Sequence, residues 1–198
     1  MTVNSSIKSI CVYCGSADNL DPIYYAAAAQ VGTLLAAGGY RLIYGAGKTG
    51  LMGALADSVL RAGGEVVGIT PKNLNTPQLI HANLTHLEVV SDIHFRKARM
   101  SALADAFIAL PGGYGTLDEF FETLTWSQIG LHSKPIGLLN TNHYYDPLLE
   151  MINRARQEKF IFEEHESLFV HDCEPAGLLD KLITFQGPQG LNHWVTRN

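Results

Sequence analysis

Cysteine is scarce in this chain: three residues in 198, too few for the disulfide framework of a secreted domain. Long apolar runs are missing as well. No stretch approaches the roughly 18–20 consecutive apolar residues that cross a bilayer, and the N-terminus shows no basic-then-apolar leader, so no signal peptide is expected. A basic excess is also missing. The formal net charge is −5, which leaves nothing to neutralise a nucleic-acid backbone. The eight histidines show no HExxH or other ligand spacing, so no metal is expected. These absences predict a cytoplasmic protein with neither membrane nor nucleic acid as partner.

Cys11 and Cys14 form a CxxC pair, a redox or metal motif in other settings. No second CxxC accompanies it. Ser9-Ile10-Cys11-Val12-Tyr13-Cys14 reads as a buried strand, and residues three apart on a strand face opposite sides. Buried core cysteine is therefore the better reading.

What the chain does have is a core. Apolar residues make up 46% and charged residues 17%, a folded composition. The length suits one domain, taken here as residues 1–185, followed by a loosely held tail over 186–198. Short apolar strands alternate with helical segments. Strands are expected over 7–14, 40–44, 65–70, 86–90, 106–110 and 135–139, with a short one near 168–170. Helices are expected over 22–37, 51–62, 93–104, 116–129, 145–158 and 175–185. Asp21-Pro22 supplies an N-cap and a first-turn proline, and Gly38-Gly39 a glycine stop. Residues 71–84 read as a polar loop. Strands alternating with helices in this way predict an α/β, Rossmann-like, doubly wound and mostly parallel sheet with helices on both faces. Ligands in such sheets sit beyond the carboxyl ends of the strands.

Two glycine-rich turns follow strands. Gly45-Ala46-Gly47-Lys48-Thr49-Gly50 matches GxGxxG in letters and in context. An acidic residue at the end of the next strand, needed to hold ribose hydroxyls, is absent. That strand ends Ile69-Thr70-Pro71, which disfavours NAD. Gly47-Lys48-Thr49 mimics the end of a Walker A loop, but Leu42 stands where that loop needs glycine. Tight packing and direct ligand contact both remain open for this turn. The second turn is Pro111-Gly112-Gly113-Tyr114-Gly115-Thr116. Glycines let backbone approach a ligand closely, and the following helix offers unpaired N–H groups to an anion such as phosphate.

Glu119 has two readings. Thr116-Leu117-Asp118-Glu119 is a capping box by spacing, with Glu119 reaching back to the Thr116 amide. The other reading is a carboxylate in the first helical turn beside a bound phosphate and sugar. Arg96-Lys97-Ala98-Arg99 reads as a solvated basic face opposite an apolar seam of Ile93, Ala98, Leu103 and Ala104. Topology adds to this. From Arg96 the helix descends ~14 Å at ~1.5 Å per residue, and the next strand climbs ~16 Å at ~3.3 Å per residue. Arg96 thus returns to the level of Gly112, where it and Glu119 flank one anion-bearing ligand.

The run from Pro111 to Glu119 resembles the PGGxGTxxE signature of the LONELY GUY family, the cytokinin riboside 5′-monophosphate phosphoribohydrolases. The resemblance covers nearly the whole chain. Cys14-Gly15-Ser16 resembles the family's first turn. Residues 44–53 resemble its YGGGxxGLMG stretch, with Ala46 in place of one glycine. Ile93-His94-Phe95-Arg96-Lys97 resembles its MHxRK segment, with Ile93 in place of methionine. Gln78 stands where many members carry glutamate. The resemblance implies hydrolysis of the N-glycosidic bond of a nucleoside 5′-monophosphate. It implies Arg96 and Glu119 as the catalytic pair, and Gly112, Gly113, Tyr114, Gly115 and Thr116 as the phosphate cradle. Gly15, Ser16, Gly47 and Lys97 are expected to bind substrate. No cofactor is implied, and a homodimer is.

Two rival readings come from other classes. One is a nucleotide carrier or sensor without catalysis, since fold does not dictate function. The other is the lysine decarboxylase label often given to such sequences. Pyridoxal phosphate chemistry needs a Schiff-base lysine in a suitable site, and no such motif is visible.

Overall fold

The computed structural model describes residues 7–188. The expectation of a loose tail therefore falls largely outside the described residues. Seven parallel strands form one sheet in the order β4-β3-β2-β1-β5-β6-β7. They are β1 (Ser9–Tyr13), β2 (Arg41–Tyr44), β3 (Val66–Pro71), β4 (His86–Val90), β5 (Ala106–Ala109), β6 (Ile136–Leu139) and β7 (Val170–Asp172). Six helices connect or follow them: α1 (Pro22–Ala37), α2 (Gly50–Arg61), α3 (Ile93–Leu103), α4 (Tyr114–Gln128), α5 (Asp146–Gln157) and α6 (Pro175–Ile183).

Side-chain alternation builds two cores, one on each face of the sheet. Ile10, Val12, Leu42, Tyr44, Ala106 and Ile108 point to the face covered by α1, α2 and α6. Cys11, Tyr13, Ile43, Phe107 and Ala109 point to the opposite face, where Met100 of α3, Phe120 of α4 and Leu148 of α5 pack. Cys11 and Cys14 thus belong to different cores and are free thiols. Burial pushes both well above the ordinary thiol range, and the nearby Glu119 carboxylate adds to it. They are core thiols.

Strand order reverses beside β1. The chain winds outward through β2, β3 and β4, then returns to the other side of β1 with β5, β6 and β7. Such a switch point opens a crevice at the carboxyl ends of the two central strands. Here the crevice is bounded by the residues after β1 and those after β5, stitched together by Gly15 N–H donating to the Pro111 carbonyl at 3.1 Å.

Helix limits follow the sequence signals where side chains do the capping. Asp21 Oδ1 accepts from the Ile23 amide at 3.0 Å at the start of α1, and Pro22 takes the first turn. Segment 71–84 is more ordered than the loop expected there. It holds a 3₁₀ turn at Lys72–Leu74 and is strapped to the first glycine turn by an antiparallel bridge between Gly47 and Ile80. The last short strand begins at Val170 rather than Leu168.

Candidate active site

A cavity of about 410 Å³ opens at the switch point. Its walls are the β1 terminus through Ala17, Gly45, Met52 of α2, Arg96 of α3, and residues 113–116 with Glu119 at the start of α4. These contributions come from the carboxyl edges of four strands, β1, β2, β4 and β5, as the topology requires.

The Pro111 turn forms one wall of the cavity. Helix α4 starts at Tyr114, two residues before the sequence reading placed it, with Gly113 as a cap that offers no side chain. The amides of Gly113, Tyr114, Gly115 and Thr116 have no acceptor among the described residues, whereas the Gly112 amide is turned to the Tyr145 hydroxyl. Free N–H groups at a helix N-terminus attract anions through both hydrogen bonding and the helix dipole. Glycine is required at 112, because a Cβ there would run into the Thr116 side chain and stand 2.9 Å from the Gly15 nitrogen. Tyr114 stands at the mouth and is 95% exposed.

Glu119 does not cap its helix. Thr116 lies inside the first turn of α4 and is buried against Gly112, so the capping-box geometry never forms. Instead Glu119 Oε1 accepts from Arg96 Nη2 at 2.8 Å. Their side chains are only 11% and 16% exposed. Burial raises the Glu119 carboxyl above its ordinary range, and the Arg96 charge works against that rise without cancelling it. Arg96 Nε is buried with no partner among the described residues. The pair is therefore poorly hydrated.

The apolar seam expected on α3 needs correction. Ile93, Phe95 and Ala98 are exposed. The inward face runs through Arg96, Met100 and Ser101 to Ala104 just beyond the helix, with Lys97 beside it. Lys97 does not reach the cavity. Its Nζ is held by Asp118 Oδ2 at 2.9 Å and Glu122 Oε1 at 3.0 Å. Burial opposes its charge, but these two carboxylates outweigh that and raise the ammonium above its ordinary value. Lys97 thus clamps α3 to α4 and sets the approach of Arg96 to Glu119.

Gly15 and Ser16 line the cavity, as do Gly113, Tyr114, Gly115 and Thr116. Gly112 lies behind them, packed against Thr116 and Gly15. Gly47 is not in the lining. A Cβ there would collide with Met52, its carbonyl accepts from Tyr44 Oη at 3.2 Å, and the turn anchors segment 71–84. Sequence reasoning missed Gly45, Met52 and Ala17, which do line the cavity. The signal available for Gly45 was its place immediately after β2. Gln78 is exposed and outside the lining.

No lysine lines this cavity among the described residues, which leaves nothing there for a Schiff base. A parallel, doubly wound sheet with a free helix N-terminus and a buried carboxylate–guanidinium pair at its switch point is the class of α/β protein that the fold and cavity define. The family described as "possible lysine decarboxylase" matches residues 52–182. A cytokinin riboside 5′-monophosphate phosphoribohydrolase from Rhodococcoides fascians is 50% identical over 155 residues, covering 78% of each chain. One from Arabidopsis thaliana is 42% identical over 182 residues, covering 92% of this chain and 85% of its own. The LOG enzyme of Oryza sativa is 45% identical over 178 residues, covering 90% and 74%. The chain belongs to the LONELY GUY family. Among solved structures, a molybdenum cofactor binding protein from Rippkaea orientalis matches with TM-score 0.67 at 22% identity, covering 89% of this chain and 96% of its own. The molybdenum cofactor carrier protein of Chlamydomonas reinhardtii matches with TM-score 0.65 at 19% identity, covering 88% and 94%. These two share the fold.

Proposed function

We propose that this chain hydrolyses the N-glycosidic bond of a nucleoside 5′-monophosphate, giving a free base and ribose 5-phosphate. The substrate is a cytokinin riboside monophosphate, AMP, or both. The observation that carries the reading is the Arg96–Glu119 pair at 2.8 Å, buried beside the unpartnered amides of residues 113–116. In this reading residues 112–116 hold the 5′-phosphate, far from the reacting carbon, and that binding energy orients the ribose. Cleavage builds positive charge on the sugar. The Glu119 carboxylate sits where it stabilises that charge and orients water. Water adds to C1′ and gives up a proton, the C1′–N bond breaks, and the base leaves with the bond's electron pair and takes up a proton. Arg96 stays protonated and so cannot serve as the base. It steadies Glu119, and, as part of the cavity lining, its guanidinium charge lies beside the phosphate and the departing base.

Product release from AMP and from N6-isopentenyladenosine monophosphate tests the reading, with wild type beside Glu119→Ala. Free base from the wild type, reduced about 10²–10⁴-fold in the variant, supports it. Binding of either nucleotide without release would overturn hydrolysis in favour of a carrier or sensor.

The homodimer belongs to the same proposal, with the cytoplasm as its compartment. Leu87 and Val89 on the edge strand β4, with Ile93 and Phe95 on α3, leave large apolar side chains exposed near Arg96, and a second copy covers them. A single-chain mass in sedimentation would refute the dimer. Among the described residues no helix is long and apolar enough to cross a membrane.

A further inference from the structure

The carbonyls around Pro111 lead to two residues that no motif singles out. After β6 the chain makes a tight turn in which Asn142 and His143 both adopt left-handed backbone, at φ 52° and 59°. Consecutive non-glycine residues seldom hold that conformation without support. Asn140 supplies the support. Its Oδ1 accepts from the Tyr145 amide at 2.7 Å, its Nδ2 donates to Asp146 Oδ1 at 2.7 Å, and its own amide donates to the Asp172 carbonyl at 2.7 Å. The turn thereby presents two adjacent tyrosines to the glycine-rich turn. Tyr145 is buried and its hydroxyl donates to the Leu110 carbonyl at 2.7 Å. Tyr144 is 43% exposed and its hydroxyl donates to the Gly112 carbonyl at 2.8 Å. The rings meet edge to face at 4.9 Å, and Tyr24 of α1 closes on Tyr144 at 6.0 Å.

Between these two carbonyls, the Pro111 carbonyl accepts from Gly15 N–H. Three consecutive carbonyls, at 110, 111 and 112, are thus each held by a different donor. A peptide group is planar and trans, so its C=O and N–H point in opposite directions. Fixing the Gly112 carbonyl on Tyr144 fixes the Gly113 N–H on the other side, and Gly113 lines the cavity.

We propose that Tyr144 and Tyr145 are positioning residues that pre-orient the Pro111 turn for the phosphate of the substrate. The inference rests on the phosphate-binding reading of that turn. Tyr145 anchors the strand end, and Tyr144 aims the Gly113 amide. Neither touches substrate. Pre-set donors avoid the ordering that a free glycine loop would otherwise undergo on binding.

The test is calorimetry on the full chain carrying Glu119→Gln, so that AMP stays intact, with and without Tyr144→Phe. The probes are AMP, inorganic phosphate and adenosine. Loss of one orienting hydrogen bond is expected to weaken AMP and phosphate about 3- to 10-fold, leaving adenosine affinity and the thermal midpoint unmoved. A merely structural role would weaken adenosine equally, and that outcome overturns the proposal. So does unchanged affinity for phosphate and AMP. Tyr145→Phe, whose hydroxyl is buried, is expected to lower the thermal midpoint as well as phosphate affinity. If the Tyr144-bearing protein itself shows no preference for AMP over adenosine, the phosphate-binding reading fails rather than the tyrosine pair alone.

Discussion

The two glycine-rich turns of this molecule have nearly the same letters and opposite uses. Both follow a strand, and both open a helix. At the first, the two leading donors of the α2 N-terminus are already taken. Gly50 N–H donates to Asp18 Oδ1 at 3.0 Å and Leu51 N–H to the Gly15 carbonyl at 3.0 Å. The Thr49 hydroxyl donates to the Ser16 carbonyl at 2.8 Å. That turn spends its hydrogen bonds holding the first loop and segment 71–84 in place. At the second, the arrangement is inverted: the carbonyls of residues 110–112 are tied down and the amides of 113–116 are left over. In the phosphate-binding reading proposed above, a glycine-rich turn becomes an anion site through which of its polar groups the protein leaves unspent, not through its glycine count.

The sharpest way to break this comparison is a matched pair of substitutions. Gly112→Ala drives a methyl into Thr116 and the Gly15 backbone. It is expected to weaken phosphate and AMP binding at least about tenfold, because the backbone has nowhere to yield. Gly47→Ala meets only Met52, a flexible side chain that adapts. It is expected to change nucleotide affinity less than about threefold, with its effect appearing in thermal stability. Calorimetry and melting on both variants decide the matter. Equal losses of affinity would mean that both turns face the ligand.

A second difference is that only the Pro111 turn delivers a titrating group. Burial raises Glu119, with Arg96 opposing. If the working form is the carboxylate, activity falls as pH drops through that raised value, so the acid limb of kcat lies above the ordinary glutamate range. Arg96→Met removes the opposing charge and is expected to move the limb further up, besides lowering the rate. A limb at or below the ordinary carboxylate range in the wild type would contradict the buried, poorly hydrated site.

The smallest effect belongs to Ala46, which stands where the family pattern has glycine and holds a left-handed φ of 64°. Ala46→Gly relieves about 1–2 kcal/mol of backbone strain. It also loosens the unfolded chain by about 0.4–1 kcal/mol and removes a buried methyl worth about 0.8 kcal/mol. The expected net change in unfolding free energy is within about 1 kcal/mol, read by urea denaturation. Nucleotide affinity should not move.

The sheet was legible because its signals are local. Alternation along Ser9–Tyr13, the Asp21-Pro22 start and the Gly38-Gly39 stop each act within a few residues. The candidate pair was legible too, since Arg96 and Glu119 sit at fixed steps from a strand that the pattern reveals. What escaped were choices made by distant partners. Thr116-x-x-Glu119 spells a cap, but α4 begins earlier on Gly113, and Arg96, 23 residues away in sequence, takes the carboxylate. Arg96 and Lys97 looked solvated because basic residues usually are. Their counter-charges on α4 are what allow them to turn inward. Tyr144 and Tyr145 carry no motif. Their role exists only because β6 lies beside β5.

The placement of the cavity between β1 and β5 also sets the order of events as the chain is made. Asp105 accepts hydrogen bonds from the amides of Lys8 and Ser9, 97 and 96 residues earlier, and β1 pairs directly with β5. A nascent chain that ends before β5 has the first four strands but only half of the crevice. The wall built by residues 113–116 and Glu119 arrives when β5 docks, a closure across a long stretch of sequence and so a slow kind of contact to form. Ligand binding at this cavity therefore reports on the docking of β5 against β1. Phosphate protection in a refolding experiment would time the docking of the two halves.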